Sequence, residues 1–298
     1  MCIGFLSKET AKGSAISSLE TRDPETDSHA LNYSPTRLIR PEPLNALLSP
    51  SIRMKILITA DVHFRQHWFR WLIEEGASYD LICIVGDLLE MFYREPRLVQ
   101  AREVSRWIRE LAKVTRVAIC SGNHDNAGRQ ISADRAPVYE WLVALGKEPK
   151  IITDGVTEVV NDLIVTTVPY HCSKEQKAIW LDRGSTIRRQ RGSPWLVLHH
   201  APPMSFPGSV GEEREAAELF QRYRPAYFIP GHSHQFPYLV GRSWTHVIKG
   251  VHLLVPGQLL AAPFPNHIVL DTNSEQARWE TLSKEWIPED LFSKFSPV

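Results

Sequence analysis

Residues 122–125 read Gly122-Asn123-His124-Asp125 and follow the apolar run Val117-Ala118-Ile119-Cys120. The run reads as a buried strand, so the four residues occupy the turn leaving it. In an open α/β sheet, ligands bind in the crevice outside the carboxyl ends of the strands. Asn, His and Asp offer there a neutral oxygen, an imidazole and a carboxylate. Alone, the tetrapeptide is a weak signal, because such residues also serve turn chemistry. Four other strand ends carry the same kind of residue: Asp61-Val62-His63, Gly86-Asp87, His199-His200 and Gly231-His232-Ser233-His234. If the strands are parallel, all five clusters project from one edge. Together they hold more donors than one metal ion needs, which suits two divalent ions sharing a bridging carboxylate. Mixed imidazole and oxygen donors without thiolate fit Mn, Fe or Zn better than Mg or Ca. Glycine before Asp87, Asn123 and His232 lets the backbone turn sharply close to the ions.

The elements that must position these clusters begin at Met54. Strands are expected at 55–60, 81–85, 116–121, 150–153, 156–160, 163–168, 195–199, 226–229, 244–249, 251–255, 267–271 and 277–281. Helices are expected near 66–76, 97–113, 137–146 and 212–222, with 173–191 helical in part. Alternating strand and helix followed by clustered strands suggests two facing sheets with outer helices. Residues 1–53 are rich in Ser, Thr, Pro and charge without a sustained period, and read as a disordered extension; 54–285 read as one domain and 286–298 as a tail. Met54 stands directly before the first strand, which leaves a second start of translation there open.

The ordered set Asp-x-His, Gly-Asp, Gly-Asn-His-Asp, a later His and Gly-His-x-His resembles the calcineurin-like metallophosphoesterase superfamily, over about residues 54–272. The resemblance implies an α/β four-layer αββα sandwich of two mixed sheets flanked by helices. It implies that Asp61, His63 and His234 hold one ion, that Asp87 bridges, and that Asn123, His232 and one of His199 and His200 hold the other. The strand end favours His199 and the spacing to Pro202 favours His200; the reading leans to His199, and strand alternation lets only one of them face the site. His124 would sit beside the substrate phosphate and assist the leaving oxygen, with Asp125 orienting it and fixing its tautomer. The implied reaction is hydrolysis of a phosphate monoester or diester by water that two divalent ions acidify. No Cys or Ser stands in a setting that suggests covalent catalysis.

Beyond the motifs the residues leave alternatives open. Phe92, Tyr93 and Arg94 follow a site strand and are either pocket wall or ordinary packing. Tyr170 and His171 end another strand. Arg183, Arg188, Arg189 and Arg191 form a basic cluster that reads as a solvated face. His67, His246, His252 and His267 read as ordinary histidines. A formal net charge of zero gives no push toward nucleic acid or a membrane surface. No stretch is apolar enough to span a bilayer, and the run 2–6, with Lys8 after it, is too short for a signal-peptide core. Cys83 and Cys120 read as buried hydrophobes rather than disulfide partners, which fits a cytoplasmic protein. The expected substrate is a small phosphate ester; a protein-binding scaffold or a nuclease of the same fold are the alternatives.

Overall fold

The computed structural model describes residues 54–127, 140–203, 213–239, 242–272, 274 and 276–281. The expected extension at 1–53 and tail at 286–298 lie outside the described residues. In chain order the elements are β1 (Lys55–Ala60), α1 (Gln66–Glu75), β2 (Leu81–Val85), α2 (Arg97–Val114), β3 (Arg116–Cys120), α3 (Glu140–Leu145), β4 (Ile151–Ile152), β5 (Thr157–Val160), β6 (Leu163–Val168), α4 (Lys174–Arg191), β7 (Trp195–His199), α5 (Glu213–Tyr223), β8 (Tyr227–Ile229), β9 (Thr245–Ile248), β10 (Val251–Leu254), β11 (His267–Asp271) and β12 (Gln276–Glu280).

Two mixed six-stranded sheets result, in the orders β12-β11-β1-β2-β3-β4 and β5-β6-β7-β8-β10-β9. In the first, β1 to β4 run parallel and β11 returns antiparallel beside β1. In the second, β6, β7, β8 and β10 run parallel and β5 and β9 close the edges antiparallel. The parallel strands are apolar on both faces because both faces are covered. Ile56, Ile58, Cys83, Val85, Leu196 and Leu198 fill the space between the sheets. On the far face of the first sheet, Leu57, Ile82 and Ile84 meet Trp68, Leu72, Val104 and Ile108 of α1 and α2. On the far face of the second, Ile164, Val197 and Phe228 meet Leu181 of α4 and Leu219 and Phe220 of α5. These three cores make the four layers. Cys83 and Cys120 are buried, unpaired thiols in the inner core.

The segment read as partly helical is one continuous helix, α4. Ser173 and Gln176 form a reciprocal capping box at its start, and Gly192, at φ 68°, closes it in the left-handed conformation. Its buried face is Lys177, Leu181 and Gly184, too small and polar to show as an apolar stripe. The part of α3 expected at 137–139 lies outside the described residues. Gly184 is where α4 rests on the second sheet: a Cβ there would stand 2.6 Å from the Trp195 ring, whose Nε1–H donates to Thr166 Oγ1 at 2.9 Å. Helix propensity favours alanine over glycine by about 1 kcal/mol, but the overlap forces α4 off the sheet. Gly184→Ala is therefore expected to destabilise the fold by about 1–3 kcal/mol, read as a lower urea midpoint; a raised midpoint would show that α4 shifts freely.

Candidate metal centre

All five clusters meet at the carboxyl ends of the parallel strands. β1 delivers Asp61 and His63, β2 delivers Asp87, β3 delivers Asn123 and His124, β7 delivers His200, and β8 delivers His232 and His234. Backbone bonds carry the strand pairing past the strand ends: Asp61 N–H donates to Gly86 O at 3.0 Å, His63 N–H to Asp87 O at 2.8 Å, and Gly231 N–H to His200 O at 3.1 Å. These bonds hold Asp61, His63, Asp87 and His232 at φ of 55°, 45°, 51° and 66°. Left-handed backbone costs a non-glycine residue on the order of 1–3 kcal/mol. It persists here because both flanking strands are locked in the sheets.

One grouping brings together Asp61, His63, Asp87 and His234, and a second Asp87, His200 and His232, with donor atoms in each group within 4.8 Å of one another. Asn123 Oδ1 completes the second, 3.2 Å from His200 Nε2 and 3.0 Å from His232 Nδ1. Asp87 belongs to both. Its Oδ1 accepts the His124 N–H at 2.9 Å, while Oδ2 lies 3.3 Å from His200 Nε2 and 3.8 Å from His63 Nε2. Burial raises the Asp87 carboxyl, but the facing imidazoles, His200 foremost, hold it well below the usual carboxylate range.

The lean to His199 is corrected by the structure, which turns His200 into the site. Along β7, Trp195 and Val197 face the helices and Leu196 and Leu198 face the inner core, so His199 continues the helix-side face. Its Nδ1 lies 3.3 Å from Val168 O. Burial and nearby Lys177 push its pKa down to about 3, which keeps it neutral. His200 Nδ1 lies 2.9 Å from Val85 O. A carbonyl only accepts, so Nδ1 carries a proton and Nε2 is aimed at Asp87 and Asn123. The ring sits in a slot between glycines: a Cβ on Gly86 would stand 2.2 Å, and one on Gly231 2.5 Å, from His200 Nδ1. Gly122 makes similar room for Asp87, with a Cβ there 2.2 Å from Oδ1.

The sequence reading expected Asp125 to orient His124, but the structure directs both of its oxygens to backbone N–H groups instead. Its Oδ1 accepts the N–H groups of Leu88 and Leu89 at 2.7 and 2.9 Å, and its Oδ2 that of Gly122 at 2.8 Å. It is a buried strut between the β2 and β3 loops. Burial and neighbouring Asp87 push its carboxyl up to about 8, against the pull of those N–H groups. The carboxylate beside His124 is Glu90, which sequence reasoning missed. Glu90 Oε1 lies 3.5 Å from His124 Nδ1 and Oε2 3.2 Å from His63 Nδ1. Burial raises Glu90, but His63 and the Phe92 N–H bring it down to about 2. The two Glu90–imidazole separations are ion-pair distances without a hydrogen bond to either Nδ1 among the described residues, and both rings turn Nε2 toward Asp87 Oδ2, at 3.8 and 3.9 Å. Tyr170 lies against the second grouping, its ring 5.4 Å from that of His200 and 6.2 Å from that of His232. The ring of His171 meets that of Tyr170 edge-on at 4.7 Å.

The donor set fits cations. Asp61 Oδ2 is buried without a hydrogen-bond partner among the described residues. His63 Nε2 and His234 Nε2 face each other at 3.0 Å, and Nε2 of His200 faces two acceptors. Lone pairs gathered against lone pairs in a dry site need positive charge between them. Protonation supplies some of it: burial lowers His200, yet the carboxylates raise it to about 9. Divalent ions would supply more, to donors of the types they bind.

The calcineurin-like phosphoesterase family model matches residues 54–236, and the chain belongs to that family. The family is metal-dependent, and the groupings above are a possible ligand cluster. Among solved structures, TT1561 of Thermus thermophilus is 13% identical with a TM-score of 0.57, over 77% of this chain and 99% of that one. The purple acid phosphatase PPD1 from yellow lupin (Lupinus luteus) seeds is 14% identical with a TM-score of 0.51, over 75% of this chain and 50% of that one. At these identities the likeness is one of fold, the expected two-sheet, helix-flanked architecture. A search of curated proteins finds no match. Among the described residues no helix is long and apolar enough to cross a membrane.

Two substitutions separate the paired histidines. His200→Ala is expected to lower bound metal in elemental analysis, whereas His199→Gln keeps it; the reverse result would reassign the ligand. Gly231→Ala, which overlaps the His200 ring, is expected to lower metal content much as His200→Ala does.

Proposed function

We infer that the protein hydrolyses small phosphate esters at a centre of two divalent metal ions. The observation that carries this reading is the sharing of Asp87 between two ligand groupings. Asp61, His63, Asp87 and His234 would hold one ion, and Asp87, Asn123, His200 and His232 the other. Ions held there would supply the positive charge that polarises phosphoryl oxygens and acidifies water at neutral pH. Imidazole and carboxylate donors favour Mn, Fe or Zn.

The chain's own residues then have distinct tasks. Asp87 fixes the spacing of the two groupings through its bond to the His124 backbone. His124, half-buried and with Nε2 3.9 Å from Asp87 Oδ2, is placed to donate to the oxygen that leaves phosphorus. Glu90 positions both His124 and His63 through their Nδ1 atoms. Asp125 keeps the loops that carry Asp87 and Asn123 at a constant separation. Monoesters and diesters both fit this core. The zero net charge favours a small ester over nucleic acid, and the unpaired Cys83 and Cys120 fit a cytoplasmic setting.

Protein purified without added metal is expected to carry about two equivalents of Mn, Fe or Zn and to turn over para-nitrophenyl phosphate or its bis-ester. Absence of both metal and turnover after reconstitution would overturn the reading. Asp87→Ala is expected to lose both ions and nearly all activity; retention of two equivalents would refute the shared ligand. Glu90→Gln is expected to leave the fold intact, as read by thermal melting, and to cost about 10–100-fold in turnover or metal affinity. An unchanged rate and metal content would remove Glu90 from its positioning role.

A further inference from the structure

Met91, Phe92 and Tyr93 follow Glu90 and are exposed to 43, 87 and 54%. Leu98 and Val99 in the first turn of α2 are exposed as well. Contiguous exposed apolar residues at a site rim mark contact with a partner or ligand. This rim is anchored. Gln100, fully buried, accepts the Glu90 N–H at 2.8 Å and donates through Nε2 to Glu90 O and Glu95 O at 3.0 and 2.8 Å. Leu88 and Leu89 are tied to Asp125. The Tyr93 ring meets Phe64 edge-on at 5.6 Å, and Phe64 packs on Trp107 at 5.5 Å.

On this anchored loop the Phe92 ring is the most exposed large apolar group and buries little of itself. Its backbone is tied to the site, since its N–H donates to Glu90 Oε1 at 3.1 Å, the oxygen that faces His124 Nδ1. Its ring stands 6.4 Å from the His124 ring at 80°. One carboxylate therefore sets both the histidine and the exposed aromatic ring beside it. Folding gains little from such a ring, but a ligand gains a preorganised apolar face.

We propose that Phe92 is a specificity-determining residue: its ring receives a flat aromatic group carried on the alcohol side of the phosphate ester, close to the ester oxygen. This rests on the hydrolase reading above and adds the substrate class. An ester whose phosphorus lies over Asp87 and whose leaving oxygen reaches His124 carries its alcohol group toward Phe92. Aromatic pairs with centroids about 4.5–7 Å apart attract beyond simple burial, and the exposed Phe92 ring is free to meet such a group beside His124.

The test uses the full-length, metal-loaded protein. Benzylphosphonate and methylphosphonate are the binding probes, measured by calorimetry. Benzyl phosphate and ethyl phosphate are the substrates, chosen because their leaving alcohols are of similar basicity. The wild type is expected to bind the benzyl probe roughly three- to tenfold more tightly than the methyl probe. Phe92→Ala should abolish that preference and Phe92→Tyr retain it. The benzyl-to-ethyl ratio of kcat/KM should fall by the same factor in Phe92→Ala, through KM. A preference unchanged by Phe92→Ala, or no preference in the wild type, would overturn the proposal and leave the hydrolase reading standing. Turnover of neither ester, nor of para-nitrophenyl phosphate or its bis-ester, would overturn the hydrolase reading, and a Phe92-dependent phosphonate preference would then still support the aromatic subsite.

Discussion

Asp87 places an almost fully buried carboxylate within reach of three imidazoles, with one oxygen tied to the His124 backbone and the other shared between two donor groupings. Such concentrated charge is tolerable only if every surrounding group is held where it compensates. The rest of the edge follows from that demand. Glycines flank His200 because its ring must come close without a side chain intervening. Asp125 directs its hydrogen-bonding capacity to backbone N–H groups, because the loops carrying Asp87 and Asn123 must not drift apart. Glu90 sets its negative charge against the outer nitrogens of two imidazoles whose inner ones turn toward Asp87.

Strain is placed at the same edge. Asp61, His63, Asp87 and His232 take left-handed backbone that side chains rarely adopt. Each directly follows a strand, or lies within a few residues of its end. The parallel strands that carry them are paired on both sides within the sheets, which holds the turns in place.

The strands were legible because both faces of each parallel strand are covered. Runs such as Leu81-Ile82-Cys83-Ile84-Val85 are apolar throughout and bounded by polar turns. The same property hid the choice between His199 and His200. Trp195-Leu196-Val197-Leu198 is apolar on both faces, so its alternation carries no polar phase to say which face looks into the site. The donor clusters were legible from their order along the chain. The role of Asp125 was not, since neighbouring side chains in a turn diverge and proximity in sequence is no guide to contact. Glu90 was missed for the converse reason: it is distant in the chain from His124, and only the β2–β3 pairing makes them neighbours. Helix α4 was underread because its buried face includes Lys177 and Gly184.

The antiparallel return of β11 beside β1 bears on synthesis as well as on the finished fold. The two strands sit at opposite ends of the domain, and Met54 bonds to Thr272, 218 residues away. While the chain is being made, β1, β2 and β3 are available to pair early, but the outer edge of β1 stays open until β11 leaves the ribosome. An uncovered strand of Ile56, Leu57 and Ile58 is a template for unwanted pairing with other chains. Pairing of the emerged β11 with β1 is therefore the step that covers this edge, and β12 then becomes the outer strand.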